Sequence, residues 1–262
     1  MQNNMTTIRE ELWKTKGILF NFAIFDLKVK YRNSILGILW SLIEPLLLLG
    51  VLLLVFSTIF KFDIENFPIY LLLGIITWNF FKNGTSIALG SITNRSAFVS
   101  QIYFPRAIPG MSAGLTASLQ LMTELVILAV FMMVLNFTPS ITIIYLIPIF
   151  LLELILIMGL ALPLSVLNAK FKDVEFIWGV VLQAGFFLTP IIYQFDMLPE
   201  TVRSILQFSP MVQIVTMAHH VTLYGELPAT NSMLYAIFSI SIITIVGYLT
   251  FRKFQARVVE EM

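Results

Sequence analysis

Apolar residues gather in six long blocks separated by short polar stretches: Ile35 to Phe60, Phe67 to Ile92, Ala107 to Asn136, Ile141 to Asn168, Phe176 to Tyr193 and Met233 to Phe251. About 20 apolar residues in a helix cross a ~30 Å hydrocarbon core. Five blocks are long enough outright, and Phe176 to Tyr193, at 18 residues, just reaches that length. The pattern predicts an all-α membrane protein with six transmembrane helices. A seventh candidate, Ile205 to Leu223, carries Gln207, Ser209, Gln213, His219 and His220 and is divided by Pro210. It reads as two short helices that dip into the outer leaflet and return, a re-entrant hairpin between spans five and six. Irregular backbone at that depth is tolerated only against protein or a wet cavity, so the hairpin is expected to edge a pathway.

Before the first block, Ile8, Leu12, Trp13, Leu19 and Phe20 fall near helical spacing opposite Arg9, Glu11, Lys14 and Lys16, and Thr7 with Glu10 forms a capping-box pattern. This predicts an amphipathic helix on the membrane surface, serving as an anchor or as a dock for a soluble partner. Residues 1–262 therefore read as one transmembrane domain: an interface helix and lead-in over 6–34, a six-span bundle over 35–254 and a tail over 255–262. The N-terminal stretch lacks the short apolar core and cleavage site of a signal peptide.

Charge orients the bundle. Arg9, Lys14, Lys16, Lys28, Lys30 and Arg32 precede the first span, Arg95 and Arg106 follow the second, Lys170 and Lys172 the fourth, and Arg252, Lys253 and Arg257 the last. Six crossings put all of these on one face. Lys61 and Arg203 fall on the other, and Lys82 sits within span two. The excess of cations predicts that both termini are cytoplasmic. Composition strengthens the membrane reading: 58% of residues are hydrophobic and only 12% charged, with mean hydropathy +0.89. The net charge of +1 gives no pointer to nucleic acid, and the absence of cysteine excludes disulfides, thiolate metal sites and a cysteine nucleophile. No pattern predicts a metal site. His219 and His220 diverge by about 100° on a helix and read as a polar pair on the outer surface.

Three segments carry a resemblance. Lys30-Tyr31-Arg32-Asn33-Ser34, followed by Leu36-Gly37-Ile38-Leu39-Trp40 and Pro45, resembles the approach to the first span in permease subunits of ABC-type polysaccharide exporters. Ile102 to Gly110 (IYFPRAIPG) and Asn168 to Tyr193 match the same family in the same order. Lys172-Asp173 stands where such permeases commonly have Arg-Asp, which keeps the charge and loses the guanidinium fork. The resemblance implies an exporter of a polyprenyl-linked polysaccharide (O-antigen, teichoic acid or capsule) in a prokaryotic plasma or inner membrane. It also implies a homodimer working with two copies of a separate ATP-binding subunit, which would hold ATP and Mg. The sequence itself contains no GxxxxGK[ST] loop, so this chain is expected not to be an enzyme and to carry no cofactor. In such permeases the N-terminal helix and the loop after span two meet the ATPase, which here designates Ile8, Leu12, Trp13, Phe98 and Ile102.

A tunnel for sugar chains needs aromatic faces for the C–H sides of pyranose rings. Of 23 Phe, 8 Tyr and 4 Trp, the candidates are Trp78, Phe80 and Phe81 in span two and Phe186, Phe187 and Tyr193 in span five; Trp40 reads as a boundary anchor. Lys28, Lys30, Arg32 and Arg106 are candidates to receive a lipid-linked pyrophosphate, beside the ordinary contact of such cations with headgroups. Glu44, Glu124 and Glu153 lie inside spans, where a charge costs about 3 kcal/mol, so they should face protein or water. They leave open structural hydrogen bonding, sugar contact or proton coupling. An ABC permease for a drug or lipid and an ion-coupled secondary transporter are the alternatives, although no repeat with paired broken helices is visible. Gly110 to Gly114, with Ala117 and Ser118, gives span three a small-residue packing face.

Overall fold

The computed structural model describes residues 17–58, 64, 66–95 and 107–255. The surface helix expected over Thr7 to Lys16, with Ile8, Leu12 and Trp13, lies outside the described residues, as do Phe98, Ile102, Arg106 and 256–262. Nine helices among the described residues make up the fold: α1 (17–30), α2 (Trp40–Thr58), α3 (Phe67–Gly90), α4 (Ala107–Val134), α5 (Leu146–Lys170), α6 (Asp173–Leu188), α7 (Glu200–Leu206), α8 (Pro210–His219) and α9 (Thr230–Phe254). No strand occurs among these residues.

Four stretches are long and apolar enough to cross a bilayer: Gly37–Phe56, Ala107–Val134, Ile141–Lys170 and Thr230–Phe254. The other two expected spans fall short for different reasons. α3 has 24 residues, about 36 Å of helix, but carries Thr77, Asn79, Lys82, Asn83 and Thr85. It can be this polar because α2, α4, α5, α6 and α8 all pack against it, burying every residue from Ile69 to Phe81, while Lys82 and Asn83 are partly exposed in a groove. α6 stops after 16 residues, about 24 Å, so the block ending at Tyr193 is not one helix. Pro190 has no N–H to donate and holds the preceding Thr189 out of the helical region (φ −87°, ψ 139°).

Small residues set the helix spacing. Gly110 and Gly114 turn toward Ala161 and Met158 of α5, which seats the small-residue face of α4 on that helix. A second seam, between α5 and α9, was not legible as a motif. A Cβ on Gly247 would overlap the Gly159 carbonyl, and one on Gly159 would lie 2.6 Å from Thr244 Oγ1. Dispersion between backbones this close holds helices together where the hydrophobic effect contributes little. α4 ends on Asn136 in the left-handed region (φ 53°), with the Phe137 amide donating to Met132 O and the Asn136 amide to Met133 O, a Schellman stop.

Of the segment Ile205 to Leu223, expected as two short helices divided at Pro210, the second forms α8, with Ser209 extended before it and Pro210 at its start; the first, α7, begins earlier, at Glu200, and reaches the segment only with Ile205 and Leu206. α7 buries none of its residues, whereas α8 is buried along most of its length against α3, α5 and α9. Its last turn widens into a π-helical turn, His220–Tyr224, which closes on Gly225 at φ 67°.

Candidate functional site

α3 forms the floor of an open groove of about 660 Å³, and α2 and α6 form its walls. Its lining joins the rings of Trp78, Phe186 and Phe187 to the charged Lys30, Glu44 and Lys82 and the amides Asn79, Asn83 and Gln183. The rings form a connected cluster. Trp78 meets Phe186 edge-on at 6.2 Å, Phe186 meets Phe187 edge-on at 5.3 Å, and Trp78 tilts against Phe81 at 5.6 Å. Phe187 is 61% exposed, the most open ring of the cluster. Gly185 makes the cluster possible, because a Cβ there would stand 2.7 Å from the Trp78 ring edge.

The other aromatic candidates lie elsewhere. Phe80 points into the core and packs edge-on against Phe150 of α5. Phe81 is buried behind Trp78 and tilts toward Trp178, whose indole N–H donates to Thr85 Oγ1 at 3.1 Å. Tyr193 donates its hydroxyl to the carbonyls of Phe187 and Leu188, each at 3.0 Å, and so satisfies the open end of α6. Its own carbonyl accepts from the Tyr70 hydroxyl at 2.7 Å. Tyr193 thus fixes the turn after the groove.

The candidate charges separate in the same way. Lys30 lines the groove and also an adjoining pocket of about 540 Å³ between α1 and α2, with Tyr31, Ser34, Trp40 and Glu44. Partial burial pushes its ammonium below the usual lysine range, and the Glu44 carboxylate opposes that shift. Lys28 and Arg32 are exposed and line neither cavity. Glu44 pairs with Lys82 Nζ at 3.4 Å across the α2–α3 contact. In sequence no cation stands one turn from Glu44; its partner is on a neighbouring helix, 38 positions along. Glu124 is buried behind the groove with Asn79 as a hydrogen-bond partner, and its Oε2 has none. Glu153 is fully buried on α5, and neither of its oxygens has a hydrogen-bond partner.

Residues not singled out in sequence complete the groove. Lys82 was visible as a charge within a span, but Asn79, Asn83 and Gln183 carried no signal beyond being polar in an apolar block. Gln120, one turn before Glu124 on α4, is buried with both amide atoms unpartnered. The histidines part company: His219 is fully buried, stacked on Tyr70 at 3.6 Å with Nε2 at 2.9 Å from Tyr70 O, rather than on the surface. His220 is partly exposed, with Nδ1 2.7 Å from Glu226 Oε2.

An exposed groove that joins aromatic faces to fixed cations can hold an amphiphilic polyanion or a hydroxyl-rich chain, and offers no nucleophile–base pair for bond cleavage. Comparison with known proteins agrees with a transport role. The family model described as "ABC-2 type transporter" matches residues 22–223. The chain is 29% identical over 250 residues to the O-antigen export system permease protein RfbA of Klebsiella pneumoniae, covering 93% of this chain and 96% of the relative. It is 26% identical over 241 residues to the RfbA of Myxococcus xanthus (91% and 92% covered) and 22% identical over 213 residues to the polysialic acid transport protein KpsM of Escherichia coli (80% and 83%).

Proposed function

The chain belongs to the ABC-2 type transporter family, and on that premise we propose that it is the permease subunit of an ATP-driven exporter carrying a polyprenyl-linked polysaccharide out of the cytoplasm. The observation that carries the reading is the α2–α3–α6 groove, where Phe187 and the partly exposed Phe186, backed by the buried Trp78, offer aromatic surface to pyranose rings and Lys30 and Lys82 supply positive charge. The names of the relatives, O-antigen export system permeases and a polysialic acid transport protein, supply the substrate class.

In this reading the groove opens sideways because it is half of a path. A second copy closes it, and the apolar outer faces of α2 (Leu47, Val51, Leu54) and α6 (Phe176, Val180), which are exposed in the single chain, meet that copy or lipid. α3 serves as the second span, sheathed by protein. α6 serves as a short fifth span whose end is completed by the buried turn at Thr189 to Ile192, with α7 and α8 re-entering beside it. Six crossings then place both termini in the cytoplasm. Lys30, with Lys28, Arg32 and Arg106, receives the pyrophosphate. The N-terminal helix and the segment around Phe98 and Ile102 dock two copies of a separate ATPase, which binds ATP and Mg.

Depleting the chain in its native cell should cause polyprenyl-linked glycan to accumulate on the cytoplasmic side, and restoring the gene should clear it. Unaltered glycan export after depletion would refute the reading.

A further inference from the structure

A second cavity, of about 430 Å³, lies at the end of the bundle where α3 begins, walled by Tyr70, Gln194, Phe195, Asp196, α8 and the π-turn to Glu226. It is more polar than the groove and shares no residue with it. We propose that this pocket is a subsite for one neutral pyranose unit of the exported chain. The proposal rests on the export reading above, which makes this end the outer face.

Its chemistry is that of saccharide recognition. Carboxylates and amides bind adjacent sugar hydroxyls, while an aromatic ring covers the C–H face. Tyr224 and Phe195 supply the rings. Asp196 is held through Oδ1 by Arg203 at 3.3 Å, and Glu226 through Oε2 by His220 at 2.7 Å. Each carboxylate keeps its second oxygen for a ligand. Gln194 donates Nε2 to the Tyr224 hydroxyl at 2.8 Å and presents its carbonyl. Thr216 Oγ1, also in the wall, is buried with no hydrogen-bond partner, which is the mark of a donor and acceptor awaiting something polar. The volume falls at the lower end of ligand pockets, about 300–1,000 Å³, enough for a monosaccharide with some water.

The wall is also rigid before anything binds. His219 stacks on Tyr70 and contacts its carbonyl, and the Tyr70 hydroxyl donates to Pro190 O and Tyr193 O. Thr142 Oγ1 donates to Val221 O at 2.7 Å and pins the π-turn. Gly225, in the left-handed region, reverses the chain so that the Glu226 amide donates back to His220 O. A fixed wall spares a weak ligand the entropy of ordering it. Asp196 and Glu226 stand against a single permanent cation, Arg203, so a further carboxylate is disfavoured and the pocket selects neutral sugars over uronates.

The test is saturation-transfer NMR on the intact permease–ATPase complex with methyl glucopyranoside, methyl galactopyranoside, methyl mannopyranoside and glucuronate at pH 7.5. At least one neutral pyranoside should receive saturation and glucuronate none. Tyr224→Leu, Glu226→Gln and Gln194→Leu should each weaken the signal about fivefold or more, the loss of a good contact; Gln194→Leu leaves the His220–Glu226 pair in place should Glu226→Gln unfold the turn. No transfer from any neutral pyranoside, equal transfer from glucuronate, or a signal that falls only with Phe187→Leu would overturn the proposal. Glycan accumulation in depleted cells is scored separately: normal accumulation without pocket binding removes this inference alone, whereas no accumulation removes the export reading beneath it.

Discussion

Gly185→Ala tests the packing that shapes the groove. An added Cβ would stand 2.7 Å from Trp78 Cη2, 3.4 Å from Cζ2 and 3.7 Å from Cζ3, where relaxed carbon contacts lie at about 3.5–4.0 Å. The ring must therefore recede by about 1 Å. It is 5% exposed and hemmed by Phe81 and Phe186, so either it swings into the groove or α6 parts from α3. Overpacking of this kind costs about 1–3 kcal/mol. Every atom that meets the new methyl belongs to the benzo ring of the indole, which phenylalanine lacks, so Trp78→Phe should relieve the clash. Unfolding each variant in mixed micelles should give a favourable coupling of about 1–2 kcal/mol in the double-mutant cycle, and glycan export should fall in Gly185→Ala and recover in part in the double mutant. Strict additivity, or an alanine variant as stable and active as the parent, would show that α6 does not pack on Trp78 as described.

Three further outcomes follow. Single cysteines introduced into this cysteine-free chain at Asn66 and Glu200 should label with an impermeant thiol reagent from outside, and those at Asn94 and Lys172 only after the membrane is opened; external labelling at Lys172 contradicts six crossings. Lys82→Met should lower the amount of inserted protein by leaving Glu44 unpaired at depth, and Glu44→Gln on that background should restore it, because a lone charge costs up to about 3 kcal/mol where the neutral pair does not; equal yields in single and double mutants would show the pair to be idle. Because the Lys30 ammonium is pushed down, it loses its proton below the usual lysine value of 10.5, so binding of a polyprenyl pyrophosphate should weaken as pH rises toward 10.5 and remain flat in Lys30→Arg; identical pH profiles would remove Lys30 from that role.

Helix content and the approximate bounds of α2, α4, α5 and α9 were legible because lipid demands continuous apolar side chains, and hydropathy records that demand directly. The bounds of α3 were legible too, Phe67–Gly90 against the expected Phe67 to Ile92, but its polar residues gave no sign that Asn79 and Lys82 line a groove. The break after α6 was written in Thr189-Pro190 but hidden by the apolar run Ile191-Ile192 beyond it. Pro210 marked the α7–α8 division plainly, since a helix can start on proline but not run through it without loss. At the groove, residue type pointed to Trp78, Phe186 and Phe187, yet could not separate them from Phe80, which shares the block and faces the core. One position along a helix turns a side chain by about 100°, and only the packing of α5 decides which turn is inside. The Glu44–Lys82 pair and the His219–Tyr70 stack join residues 38 and 149 positions apart, beyond any local pattern.

The account's central claim is that glycan passes along the groove between α2, α3 and α6. A photocrosslinking amino acid placed at Phe187 meets it directly, with the same substitution at Phe238, exposed on α9, as the reference. In cells whose partner ATPase is catalytically stalled, irradiation should attach glycan to the chain at 187 and not at 238, seen as a glycan-reactive band of raised mass. No adduct at 187, or equal adducts at both positions, would contradict it.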